Sequence, residues 1–234
     1  MLVHNLGRKI IFWSFSRSLF IILFSVLVLV AGLLFVGAIG LAFRRVGFSS
    51  QLTAFILVAT FAGSYINIPL FKIKTLFPVL KDEYFSFFGI VFRVPQIEYE
   101  EFSTVVALNV GGALIPTIVS VYLLWRLPST TPYALLGTAI VALVTHLVAR
   151  PVKGLGIVTP AFVPPLASAL MAYLLPSGAP SIIAYTSGVL GTLIGADILN
   201  LHKIPEIGAR IASIGGAGTF DGIFLSGIIS VLLV

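Results

Sequence analysis

Residues 154–196 read GLGIVTPAFVPPLASALMAYLLPSGAPSIIAYTSGVLGTLIGA, 43 positions without one Asp, Glu, Lys or Arg. As a helix at about 1.5 Å per residue this run would extend roughly 64 Å, twice the ~30 Å hydrocarbon core of a bilayer. Pro176-Ser177-Gly178-Ala179-Pro180 is a strong breaker cluster within it. The run therefore reads as two membrane crossings joined by a tight turn.

Outward from this stretch the same pattern repeats. Residues 18–43 are uncharged and end at Arg44-Arg45; residues 46–71 are uncharged and end at Lys72. Residues 102–125 and 127–149 are separated by Arg126 and Pro128, and a last apolar segment runs from about Ile211 to Val234, interrupted by Asp221. The expectation is an all-α polytopic membrane protein with about seven transmembrane helices, a single integral membrane domain over residues 1–234. The first run is too long for the apolar region of a signal peptide, so it reads as a retained helix. No internal repeat of the inverted transporter type stands out.

Composition agrees. Of the 234 residues, 59% are hydrophobic and only 9% charged, against about 25% charged in a soluble domain. Mean hydropathy is +1.13. A water-facing enzyme of this size could not hide so much apolar surface, and a disordered chain would not carry it. Cysteine is absent, which removes disulfides, thiolate metal sites and cysteine nucleophiles. No cofactor or metal is expected, and no basic run of nucleic-acid type occurs. The bilayer is the expected partner; oligomeric state is left open.

The net charge of +6 reads as a topology signal. With seven crossings, 11 Lys and Arg fall on the side of the N-terminus: Arg8, Lys9, Arg17, Lys72, Lys74, Lys81, Arg93, Arg150, Lys153, Lys203 and Arg210. Three, Arg44, Arg45 and Arg126, fall on the other. The positive-inside rule then places the N-terminus in the cytoplasm and the C-terminus outside.

The one sizeable polar piece, about residues 70–101, holds five of the eight acidic residues. Phe71-Lys72-Ile73-Lys74-Thr75 alternates as a half-buried strand does, and Ile90-Val91-Phe92-Arg93-Val94 is β-branched and aromatic. Lys81-Asp82-Glu83 and Gly89 suit a turn between them. A short β-hairpin against the cytoplasmic membrane face is expected.

A charge at the bilayer centre costs at least about 2.5–3.5 kcal/mol on insertion scales, so polar residues inside the crossings attract notice. They are Asn67, Asn109, His146, Asp197 with Asn200 nearby, and Asp221. The topology puts Asn67, Asn109, His146, Asp197 and Asp221 in the cytoplasmic half of the bilayer, which suggests one polar cavity open to the cytoplasm. Each has a plainer reading: interhelical hydrogen bonding for the asparagines, an interfacial position for His146, snorkelling for Asp197, and backbone N–H acceptance for Asp221.

Small residues four apart, Ser187-Gly191-Gly195 and Gly218-Gly222-Ser226, predict close packing of the last two crossings. At 100° per residue a straight helix would point Asp197 away from that contact. The two aspartates then point apart unless the sixth crossing unwinds near Gly195 or Asp197 is served by another helix. Four glycines between Ser213 and Gly222 predict an unwound start to the seventh, and Pro160, Pro164 and Pro165 predict a broken or kinked fifth.

Asn67-Ile68-Pro69-Leu70, Asn109 through Pro116, Gly191 through Asp197 and Ser213 through Phe224 together resemble an uncharacterised archaeal and bacterial integral membrane family, the domain of unknown function numbered sixteen-fourteen. The resemblance covers about residues 55–234 and implies the same membrane architecture and a shared site around Asp197 and Asp221, with no established activity. A weaker similarity is to membrane aspartyl proteases of the prepilin-peptidase and presenilin kind. Ile204-Pro205-Glu206 comes after Asp197, and Gly216-Ala217-Gly218 precedes Asp221, but with two extra residues before the aspartate. That resemblance implies Asp197 and Asp221 as a catalytic pair, one carboxylate acting as base toward water and the other as acid.

Three functions are expected on these grounds. The first is a transporter or permease for a small solute, proton or cation, with Asp221 as main coordinating group, assisted by Asp197, Asn109, Asn200, His146 and Asn67. The second is an intramembrane aspartyl protease, the one enzyme class considered. The third is a scaffold whose aspartates pin helices together.

Overall fold

The computed structural model describes residues 17–88, 90–154, 156–216 and 220–234. Arg8, Lys9, Gly89 and Ala217-Gly218-Thr219, which figure in the expected topology and motifs, lie outside the described residues.

Helix α1 (Arg17–Arg45) has 29 residues and ends on two arginines, favourable partners for the negative end of a helix. Its apolar side chains from Leu19 to Val36 are exposed, as a lipid-facing helix requires. Helix α2 (Ser50–Gly63) comes next, capped by Ser49, whose hydroxyl accepts from the Leu52 N–H at 3.3 Å.

The expected second crossing stops there. The chain leaves the helix at Ser64 and enters strand β1 (Asn67–Phe87), which pairs antiparallel with β2 (Ile90–Asn109) over its whole length. This is the first correction to the all-α reading. The hairpin is long, not short: a 21-residue strand extends roughly 70 Å at about 3.3 Å per residue. Its reversal lies at Phe88, so Lys81-Asp82-Glu83 sits inside β1.

Diagonal cross-strand ion pairs accompany that register. Lys74 pairs with Glu101 at 2.6 Å, Lys81 with Glu98 at 2.5 Å and Glu100 at 3.0 Å, and Arg93 with Asp82 at 2.5 Å. The hydrogen bond to Glu98, and then that to Glu100, push the exposed Lys81 ammonium up to about 12. Pro69 and Pro78 are tolerated because β1 is an edge strand, and a register shift falls between Pro69 and Phe71.

The uncharged run 102–125 is likewise split. Thr104-Val105-Val106 belongs to β2, and the helical part starts with a π-turn (Val110–Leu114) leading into α3 (Ile115–Arg126). A short 3₁₀ turn (Pro128–Thr130) introduces α4 (Thr131–Val148). Strands β3 (Arg150–Val152) and β4 (Gly156–Val158) form a small ribbon, so the start of the 154–196 run is not helical. Helix α5 (Val163–Leu174) begins with Pro164 and Pro165 in its first turn. There the missing N–H costs nothing, so these prolines start the helix rather than kink it.

Helix α6 (Pro180–Thr192) is central, packed by α3, α4 and α5 and by α8 (Gly222–Leu233). It passes into a π-turn (Leu193–Asp197), a 3₁₀ segment (Ile198–Lys203) and the short α7 (Ile204–Ile207). Strand β5 (Ile211–Ile214) then adds in parallel to β2, Val105 opposite Ile211 through Leu108 opposite Ile214.

The small-residue stripe of α6 works on a different neighbour from the one expected. A Cβ on Gly191 would lie 2.6 Å from Val141, and one on Gly195 would overlap the Ala142 carbonyl oxygen, so the stripe seats α6 on α4. Close packing with α8 is present but uses the next face. A Cβ on Gly227 would lie 2.5 Å from Val189, one on Gly188 2.9 Å from the Ser230 hydroxyl, and Thr192 donates to Ser226 at 3.0 Å.

Among the described residues, three helical stretches are long and apolar enough to cross a bilayer: Arg17–Arg45, Pro128–Val148 and Pro180–Lys203. Four shorter apolar helices, Ser50–Gly63, Val110–Arg126, Val163–Leu174 and Gly222–Leu233, accompany them. A 12-residue helix such as α5 or α8 measures only about 18 Å.

Candidate functional site

Two interruptions of regular structure meet at one place. The first is the change of α6 from α to π geometry at Leu193–Asp197. A π-turn takes an extra residue per turn and shifts the phase of the residues beyond it, so the straight-helix geometry ends at Gly195. The carbonyls freed by the break are not left bare. Asn200, fully buried, donates its Nδ2 to Gly195 O at 2.8 Å and Ala196 O at 3.0 Å.

The second interruption comes directly after β5. Gly215 (φ +83°) and Gly216 (φ +73°) take left-handed conformations that side chains resist. Gly215 donates its N–H to Asp197 Oδ2 at 2.8 Å. Gly216 faces the other carboxylate: a Cβ there would lie 2.5 Å from Asp221 Cγ. Asp197 and Asp221 thus rest on consecutive residues of one turn.

Asp221 stands at the N-cap position of α8 with extended backbone (φ −62°, ψ 169°). Phe220 before it has φ +54°, an uncommon value for a side-chain-bearing residue. Its ring is held by Phe35 at 5.5 Å and Phe224 at 5.2 Å between centroids, which fixes the entry into α8.

Both carboxylates border a cavity of about 400 Å³. Asn67 and Ser213 supply further polar lining, and Ile157, Leu201, Ile204, Ile207 and Ile211 make most of the wall apolar. Asn67 Oδ1 accepts from the Ser213 hydroxyl at 2.6 Å and from Asn109 Nδ2 at 3.2 Å. Ser213 was missed as a site residue in the sequence, where nothing distinguishes it from any serine before a glycine pair.

Of the six residues singled out from sequence, Asp197, Asp221 and Asn67 line the cavity. Asn109 lies behind it. It is fully buried, donates to Ser64 O at 2.8 Å and accepts from Gly112 N at 2.7 Å, tying α2, β1 and the π-turn together. Asn200 caps the broken end of α6, and half-buried His146 lies on α4; neither is part of the cavity lining. Among the described residues no group of three or more His, Cys, Asp or Glu is placed to hold a metal ion.

Apolar helices with exposed lipid-type surfaces, a central buried helix and a cavity at its broken end define a helical membrane protein. Within that class the chain belongs to the family described as Protein of unknown function (DUF1614), whose model matches residues 61–233. The match takes in the hairpin, the broken α6, both aspartates and α8. No curated protein and no solved structure is matched.

Proposed function

We propose that this protein is a small multi-pass transporter or permease, and that the cavity between Asp197 and Asp221 binds its solute, proton or cation. One observation carries this reading: two carboxylates, each at a break between a helix and irregular backbone, border a single cavity. Broken helices beside a polar pocket are how membrane proteins expose backbone groups to a small ligand. A scaffold role would call for aspartates bonded wholly within the protein and no cavity.

The basic residues support an orientation. Lys153, Lys203 and Arg210 adjoin residues of the cavity or its immediate neighbours, while Arg45 and Arg126 border a second cavity formed with the start of α6. The positive-inside rule then opens the aspartate cavity to the cytoplasm and leaves Val234 outside. Seven passes are compatible with this arrangement if the four shorter helices are completed by neighbouring strand ends and turns.

The test is flux into proteoliposomes, followed with an internal pH dye and with radiolabelled monovalent cations. Asp221→Asn should cut flux at least tenfold while the protein still melts as the unaltered chain does. Flux unchanged in both Asp221→Asn and Asp197→Asn would reject the reading.

A second reading has its own support. Carboxylates seated on consecutive residues, Gly215 and Gly216, suit a pair in which one activates water and the other protonates the leaving group, as in an aspartyl protease. In that case either Asn variant stops cleavage of an apolar peptide substrate, and no flux is seen with the unaltered chain.

A further inference from the structure

A second cavity, of about 450 Å³, lies at the other end of α6, bordered by Arg45, Gly47, Arg126 and Gly178 through Ile182. We infer that it binds a phosphate-bearing group, held between the guanidinium groups of Arg45 and Arg126.

Both arginines are oriented by bonds that leave their charge uncompensated. Arg45 Nη1 donates to the last turn of α8, to Val231 O at 3.1 Å and Leu232 O at 3.2 Å. Arg126 Nη1 donates to Gly47 O at 2.9 Å. Gly47 has φ +92°, and a Cβ there would lie 3.2 Å from Arg126 Nη1, so glycine at this position lets the guanidinium lie against the backbone. A guanidinium has five N–H donors. Among the described residues, Nε and Nη2 of both arginines have no protein acceptor, and every ion pair is in the hairpin. Among the described residues no acidic side chain lines this cavity.

Two forked cations around a concave space match the oxygens of a phosphate. The opening turn of α6 forms another wall, and its positive end adds to the same field. The location points to the lipid surface. Arg45 closes α1, whose side chains from Leu19 to Val36 present an apolar exposed surface, so the cavity sits where that surface ends. A phospholipid headgroup and free phosphate share the chemistry required.

Native mass spectrometry of the detergent-purified full chain would test this with phosphatidylglycerol, diacylglycerol lacking the phosphate, and inorganic phosphate. Phosphatidylglycerol should be retained and diacylglycerol lost. Arg45→Gln with Arg126→Gln should weaken retention about tenfold or more. Because that pair also holds α8 and the Gly47 turn, Ser181→Asp is the cleaner variant. It places a carboxylate in the cavity wall near the start of α6, where a helix favours one, and should abolish retention with an unchanged melting temperature. If millimolar inorganic phosphate raises the melting temperature of lipid-free protein, free phosphate is a ligand; if it does not while phosphatidylglycerol is retained, the headgroup is. Equal retention of phosphatidylglycerol by the unaltered chain and by well-folded Ser181→Asp would overturn the inference, as would failure of the unaltered chain to bind either phosphate source.

Discussion

Gly112 and Gly215 meet backbone to backbone: a Cβ on Gly112 would overlap the Gly215 carbonyl oxygen. This contact joins the π-turn before α3 to the Gly215-Gly216 turn against which both aspartates rest. The same Gly215 gives its N–H to Asp197, so the position of one carboxylate depends on a glycine far earlier in the chain.

Gly112→Ala should therefore be costly. A methyl group against a carbonyl, with backbone on both sides, forces the two turns apart, and overpacking of this kind costs about 1–3 kcal/mol. The variant should melt lower and lose whatever function the aspartate pair supports. Gly222→Ala is the control. Its Cβ would meet nothing within 4 Å, so alanine fits at the first position of α8. Melting in detergent that falls equally for both would contradict the contact.

Gly216→Ala acts at shorter range. The backbone there has φ +73° and the added Cβ would press on the Asp221 carboxylate. Left-handed backbone costs a non-glycine residue roughly 1–2 kcal/mol. Loss of flux should accompany a small loss of stability; full flux would mean that the Asp221 placement is not critical.

Asn109 and His146 separate structural from functional polarity. Asn109→Ala removes a buried amide with bonds to Ser64, Asn67 and Gly112. It should lower stability by about 2–4 kcal/mol, because the groups left behind stay buried and unpaired. His146→Ala, away from the cavity, should leave flux within about twofold, well under the tenfold that ~1.4 kcal/mol represents. Flux lost on His146→Ala at normal stability would return His146 to the site.

The hairpin gives a pH-dependent prediction. Lys81 in the folded chain holds its proton up to about 12, above its ordinary 10.5, because it bonds Glu98 and Glu100. The support it gives the hairpin is therefore complete below about pH 10.5 and fades as pH rises through 12. Amide exchange around residues 79–98 should be a few-fold faster in Lys81→Gln at neutral pH. That difference should shrink in high salt, as exposed ion pairs are screened. A difference that persists unchanged in high salt would point to packing by the lysine stem instead.

How much of this was readable in advance varies by element. The central helix and its break are visible in residues 180–203: apolar, rich in small residues, with Gly195 where helix geometry changes. The unwound approach to the last helix is foreshadowed by its glycines. The hairpin was readable only in part. Pro69, Pro78 and Pro95 argue locally against strands, and tertiary pairing overrides them because the edge and distal positions need no N–H. Residues 102–109 read as helix by lack of charge alone, which does not distinguish a buried strand from a crossing.

The sequence by itself determined the environment and the inventory: a lipid-facing exterior, no thiol chemistry, and two aspartates among apolar residues. Hydropathy and residue type are local properties, and a chain carries them whatever its neighbours do. Which polar groups share a cavity was decided only by the tertiary structure. The seating of Asp197 on the Gly215 N–H, the packing of Gly215 against Gly112, and the bond from Asn109 to the Ser64 carbonyl each depend on contacts between distant segments. Helical phase and spacing count residues along one element, and they say nothing of which backbone atoms another element brings within hydrogen-bond reach.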